Sequence, residues 1–192
     1  MDAVNLTLLS YLLYFITSTI GITFGYHRFY AHQTFTTSVF HEILILYCGM
    51  LCGCKSPLTW VGVHRMHHTY SDTPKDPHSR KYLKWYVILF SLWKVKNIPR
   101  KFIKDVIKNK YIVFVHKNIY LLYAVNAFIL FLLFGIDSII ILTLISLFSY
   151  IGFGALNLWG HTSTGTAKNC FWLNFIAPFE GDHHTHHINA SK

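Results

Sequence analysis

IYLLYAVNAFILFLLFGIDSIIILTLISLFSYIGFGALNLW, residues 119–159, is the stretch that decides the fold class. Ile119 to Ile136 carries no charged side chain, Asp137 stands alone, and Ser138 to Trp159 is again uncharged. A helix rises about 1.5 Å per residue, so roughly 20 apolar residues cross the hydrocarbon core of a bilayer. The pattern predicts two membrane spans, 119–136 and 138–159, folded back on each other at the polar break Gly135-Ile136-Asp137-Ser138.

Toward the N-terminus, residues 3–27 hold no Asp, Glu, Lys or Arg, and Val4 to Phe24 is mostly Leu, Ile, Phe, Tyr and Thr. A basic leader and a small-residue cleavage site are both missing, so this is a span, about 4–25, and not a signal peptide. Val39 to Cys54 is apolar but only about sixteen residues long and contains His41 and Glu42. That length predicts a re-entrant or interfacial segment. The expected fold is an all-α integral membrane protein, one domain over 1–192, with about three transmembrane helices plus re-entrant and interfacial helices.

Composition points the same way. The chain is 53% hydrophobic, 17% aromatic and 13% charged; soluble domains average about 25% charged. Intrinsic disorder, a collagen-like repeat and a disulfide-built secreted module are excluded. No Lys or Arg precedes Arg28, and residues 28–117 hold most of them. The positive-inside rule then places the N-terminus outside, 28–117 on the cytoplasmic side, Asp137 outside, and everything after about Trp159 back in the cytoplasm. Ten of the seventeen Lys and Arg lie between Arg80 and Lys110, opposed by Asp105 alone. Interleaved with Tyr, Trp, Ile and Phe, this block suits a membrane surface better than nucleic acid, with Tyr82–Val95 and Arg100–Lys110 as amphipathic helices. Cys48, Cys52, Cys54 and Cys170 have no second ligand pair for zinc and are expected to pack as small hydrophobes in a reducing compartment.

The thirteen His are clustered. His27 and His32 end the first span, His64, His67 and His68 follow Trp60, His161 ends the third span, and His183, His184, His186 and His187 lie near the C-terminus. With the spans oriented by Lys and Arg alone, all four groups emerge at the same membrane face. His64, His67 and His68 stand at i, i+3 and i+4, one face of a helix, and His183, His186 and His187 repeat the spacing. His27 and His32, five apart, are about 140° apart on a helix of about 100° per residue. They are therefore expected to straddle a helix end or to serve different metals. Nine candidate ligands, with Asn157 one turn before His161, are too many for one ion and about right for two. Neutral imidazole suits Fe, Zn, Cu and Ni. His41, His78, His116 and His184 are left as non-ligands, although His184 offers a shifted register for the last group.

These residues resemble the membrane-bound di-iron fatty acid desaturases. The resemblance rests on His27-Arg28-Phe-Tyr-Ala-His32, His64-Arg65-Met-His67-His68 and His183-His-Thr-His186-His187. Thr69 to His78 is similar to the segment after the family's second box, and Asn157-Leu-Trp-Gly-His161 to its additional ligand motif. Four residues between the first two His point to the delta-9, acyl-CoA-type branch. The resemblance covers about Leu8 to Ile188.

It implies that His27, His32, His64, His67, His68, His161, His183, His186 and His187 hold two Fe ions, with Asn157 reaching one through a water. It implies O2 as co-substrate, and loss of two hydrogens from adjacent methylenes of a buried acyl chain. The substrate would be a fatty acyl-CoA or acyl-lipid, and electrons would come from a separate donor of cytochrome b5 or ferredoxin type. The site would face the cytoplasm, from the endoplasmic reticulum in a eukaryote or the inner membrane in a bacterium. Arg65, Trp60 and Trp159 are expected as substrate or donor contacts, with lipid anchoring and an aromatic belt as their alternatives. Asp72 and Asp76 are expected either to orient ligand imidazoles or to shape turns. The family usually has four spans, so its first helix and C-terminal tail are expected to be absent here. Three other readings stand beside this one: a related di-iron lipid hydroxylase, a His-rich zinc-binding membrane protein without catalysis, and a shortened, inactive desaturase.

Overall fold

Asp2 starts the first helix by accepting the Asn5 backbone N–H at 2.8 Å, the usual work of an N-cap. α1, Ala3–Ser18, runs without a break into a π-helix, Thr19–Ala31. In this computed structural model, which describes residues 1–71 and 73–189, the two form one apolar rod of 29 residues. The change of helix type falls on TIGITFGYHRFYA, where β-branched residues and two glycines weaken the α-helical preference. The rod packs α2, Val39–Leu51, along its π-helical half and α6, Ile136–Trp159, along α1. Gly21 makes the first contact possible: a Cβ there would collide with the backbone of Cys48 and Gly49. Between membrane helices such close backbone packing replaces the hydrophobic driving force available in water.

α2 is too short to cross a bilayer. Its chain turns at Cys52–Ser56 and returns as α3, Pro57–Tyr70, which leans on the π-helix. The turn packs on protein at Cys52 and Ser56 and lines a cavity between them: Cys52 Sγ donates to Thr17 Oγ1 at 3.4 Å, and Cys54 Sγ lies 3.2 Å from Ser149 Oγ. Irregular backbone is tolerated at membrane depth under that condition, so the predicted re-entrant segment is an α2–α3 hairpin.

The long hairpin consists of α5, Lys110–Phe134, and α6. α5 begins well before the predicted 119 because Asn109 caps it, its Oδ1 accepting the N–H groups of Tyr111 and Ile112. The two helices meet at Gly135 (φ 66°, ψ −155°), a conformation open essentially to glycine alone. The buried side chains of α5, Ile112, Val115 and Ile119, all lie near its start.

The basic segment departs from expectation. In place of two amphipathic helices it holds the short α4, Trp85–Leu89, and two single 3-10 turns, Arg100–Phe102 and Val106–Lys108. Ser91 at φ 44° stops the first, and Pro99 opens the second stretch with no N–H to donate. After α6, a segment with a 3-10 turn at Phe171–Phe175 leads to α7, His183–Ile188. Tyr11, Tyr14 and Thr23 tie this strap to the rod, their hydroxyls donating to the carbonyls of Phe175, Ile176 and Pro178. Among the described residues every regular element is helical, with one isolated bridge pairing His161 and Ala167.

Candidate metal centre

Four stretches of chain end at one place. The π-helix delivers His27 and, just past its last turn, His32; α3 delivers His64, His67 and His68. His161 follows α6, and α7 supplies His183, His186 and His187. Their ring nitrogens sort into two sets, His27, His32, His64, His68 and His186 in one, and His67, His161, His183 and His187 in the other. Within each set the ligand atoms lie within 4.8 Å of one another.

His27 and His32 share a set because the helix under them is not an α-helix. The His32 N–H bonds the His27 carbonyl at 3.0 Å, an i→i+5 step that brings the two rings onto one side, with centroids 4.9 Å apart. The 140° estimate assumed the regular α-helical repeat, which a π-helix does not have.

The rings point Nε2 inward. Facing Nε2 atoms are 2.8 Å apart for His27 and His186, 2.9 Å for His32 and His64, and 3.1 Å for His186 and His68. In the second set they are 3.0 Å apart for His183 and His161, and 3.3 Å for His67 and His187. Burial, reinforced by the neighbouring imidazoles, holds the pKa of His64, His67, His68, His183 and His186 below the usual value and brings His32 and His187 down to about 3. Neutral inward nitrogens are the form that binds a cation. The donor set therefore fits two nitrogen-liking metal ions.

Three outward-facing Nδ1 atoms have partners of their own. His27 Nδ1 meets Glu180 Oε1 at 2.8 Å, His67 Nδ1 meets Asp76 Oδ1 at 2.9 Å, and His161 Nδ1 lies 2.6 Å from the Gly165 carbonyl. Arg80 donates to the carbonyl of His161. Of the two aspartates expected to orient imidazoles or shape turns, Asp76 touches His67, and its Oδ1 also accepts the His78 N–H as in a tight turn. Asp72 lies outside the described residues.

Trp60 stacks on His64, with centroids 4.9 Å apart and planes 17° apart. Trp159 meets Trp172 edge to face at the end of α6. Arg65 is committed inside the protein: Nε donates to Ala31 O, Nη1 to Phe102 O and Asp105, and Nη2 to Tyr30 O and Asp105. All five of its N–H groups are used. Asn157 lines a cavity of about 540 Å³ together with His27, His64, His67 and His183. The cavity reaches down to Cys52 and Ser146 and up to the lysines of segment 94–96.

Of the histidines set aside, His41 pairs with Ser38, His116 with Ser56, and His184 is exposed. His78 differs. It is buried, its ring centroid is 4.2 Å from that of His67, and with His67 and Asp76 it forms a third group of potential ligands. Its position after Asp76-Pro77, inside the stretch similar to the segment that follows the second box, was the available signal. Glu180 was missed as well; the hint was a carboxylate, with Asp182 close behind it, at the end of an apolar stretch just before a His triplet.

A helical membrane protein with buried histidine clusters able to hold metal is the class these features define. Comparison with known proteins makes it specific. A family model described as fatty acid desaturase matches residues 4–192. The sn-1 stearoyl-lipid 9-desaturase of Synechocystis sp. is 35% identical over 191 residues, covering 93% of this chain and 60% of that protein. The enzyme of the same description from Anabaena variabilis is 30% identical, covering 92% and 69%. Delta-9 acyl-lipid desaturase 2 of Arabidopsis thaliana is 28% identical, covering 94% and 63%. The chain thus spans about three fifths to two thirds of the length of these relatives. It belongs to the fatty acid desaturase family.

Proposed function

We propose that the chain is an oxygen-dependent fatty acyl desaturase that introduces a cis double bond, at the delta-9 position, into a saturated acyl chain. The observation that carries this reading is the sorting of nine imidazoles into two converging sets, of which His27, His64, His67 and His183 line one large cavity. Two irons held by these sets, one of them also through a water on Asn157, would supply the activation of dioxygen and the removal of two hydrogens. The chain's own residues do the rest. Burial keeps the imidazoles neutral, Asp76 fixes the ring of His67, and Trp60 fixes the plane of His64 by stacking. The cavity walls would hold the acyl chain bent beside the nitrogens and set which carbons face them.

The names of the relatives support a lipid-linked acyl chain as substrate, with acyl-CoA as the other carrier. A separate donor of cytochrome b5 or ferredoxin type would meet the basic segment 80–110, whose one acid, Asp105, is already taken by Arg65. That segment lies at the histidine end of the bundle, which the positive-inside rule makes the cytoplasmic end.

The test is a fatty-acid profile by gas chromatography and mass spectrometry in a host without its own desaturase, with His67→Ala as control. A monounsaturated acid present with the wild type and absent from the control is expected, and its bond position reads the regiochemistry. A hydroxylated product, or no product from membranes that contain both iron-loaded protein and donor, would overturn the assignment.

A further inference from the structure

Glu180 is a carboxylate in an unusual place. It is 6% exposed, it lines the cavity beneath the histidines, and its Oε1 is 2.8 Å from Nδ1 of His27, itself 4% exposed. The strap that presents it is fastened on both sides. Before it, Tyr11, Tyr14 and Thr23 hold the carbonyls of Phe175, Ile176 and Pro178. After it, the Gly181 N–H bonds Asn174 Oδ1 and its carbonyl accepts from the Cys170 N–H, both at 2.7 Å. Phe179, directly before Glu180, is held at φ 61°, a strained setting for an aromatic residue that persists only where its surroundings enforce it.

We propose that Glu180 is the positioning residue of the five-histidine set: it holds the Nδ1–H of His27 so that Nε2 faces inward, and it supplies that set with a buried negative charge. Asp76, on His67, does the same for the other set. The inference rests on the two-metal reading. Nine neutral imidazoles bring no charge to offset two buried divalent ions, and an uncompensated buried charge is costly. One carboxylate behind one histidine of each set divides the compensation evenly. Carboxylates behind ligand histidines also raise ligand basicity, and their loss costs about 10- to 100-fold in metal affinity.

The test uses the full chain loaded with 57Fe in detergent, comparing wild type, Glu180→Gln, Glu180→Asp and Asp76→Asn. Iron per chain, the rate of iron loss to a chelator and the Mössbauer spectrum are read. Glu180→Gln should lose one iron about 10- to 100-fold faster and alter one of two iron signals. Asp76→Asn should alter the other signal, and Glu180→Asp should restore most of the retention. A residue that merely stabilised the fold would affect both irons together. Unchanged iron kinetics and spectra in Glu180→Gln, or equal loss of both irons, would overturn the inference. Should Glu180→Gln fail to accumulate, Glu180→Ala is read in its place: a single perturbed iron supports the role, and wild-type behaviour sinks it. A wild-type chain that takes up no iron overturns the two-metal reading itself, whereas a two-iron wild type with an indifferent Glu180 overturns this inference alone.

Discussion

His186 meets both His27 and His68 through Nε2, at 2.8 and 3.1 Å, so its ring closes the five-histidine set. Replacing it by alanine is expected to remove desaturase product and lower bound iron, measured by metal analysis of the purified protein. His116→Ala should do neither, because His116 bonds only Ser56 among the contacts described. Spacing in the sequence marks six of the nine imidazoles, because i, i+3, i+4 triplets leave a mark on the chain; His27, His32 and His161 stand out only by their place at the ends of apolar stretches. A residue's partner leaves none. Arg65 stood beside the second triplet like a headgroup contact, yet its fork clamps Tyr30, Ala31, Phe102 and Asp105. Arg65→Lys cannot reproduce five fixed donors. Its loss of several charge-assisted bonds should cost on the order of 2–4 kcal/mol, seen as a lower unfolding midpoint. Unchanged stability would show that the clamp contributes little.

Among the elements, the π-helix matters most. It answers why two histidines five residues apart meet, and an α-helical period could not have foretold it. Its signal was composition rather than period: clustered β-branched residues with Gly21 and Gly25. Gly21→Ala should force the π-helix and α2 apart, since a Cβ there meets backbone and no flexible side chain. Overpacking of this kind costs about 1–3 kcal/mol. A shift of that size in thermal unfolding in detergent is the expected result, and an unshifted midpoint would argue that the helix pair is loosely packed. The spans themselves were legible from apolar length. The amphipathic helices expected over Tyr82–Val95 and Arg100–Lys110 did not form: Ser91 stops the first after one short helix, and the second is reduced to two single 3-10 turns.

Taken whole, the molecule carries its ionisable chemistry at one end. His32 and His187 titrate at about 3 in the folded chain, against about 6.5 when unfolded. Above pH 6.5 both states leave these groups neutral and folding is indifferent to pH through them. Below it the unfolded chain binds protons that the folded chain refuses, so stability falls as pH drops from 6.5 toward 3, by up to about 1.4 kcal/mol per pH unit for each group. The iron-free protein should therefore unfold at a lower temperature at pH 5 than at pH 7.5. Equal midpoints would mean that these imidazoles are solvated and not buried.

At the other end, α5 is held differently. Its buried residues stop at Ile119, and Val125, Phe128, Ile129 and Phe131 to Phe134 face outward. A rod gripped near one end takes its lean from whatever surrounds the other. In a bilayer the tilt of its outer half would answer to the thickness of the lipid as well as to its packing on α6 and the Tyr47–Asn126 bond. Lipid composition would thereby act on this protein as a mechanical load, applied far from the two histidine sets and through a helix that contributes no residue to either.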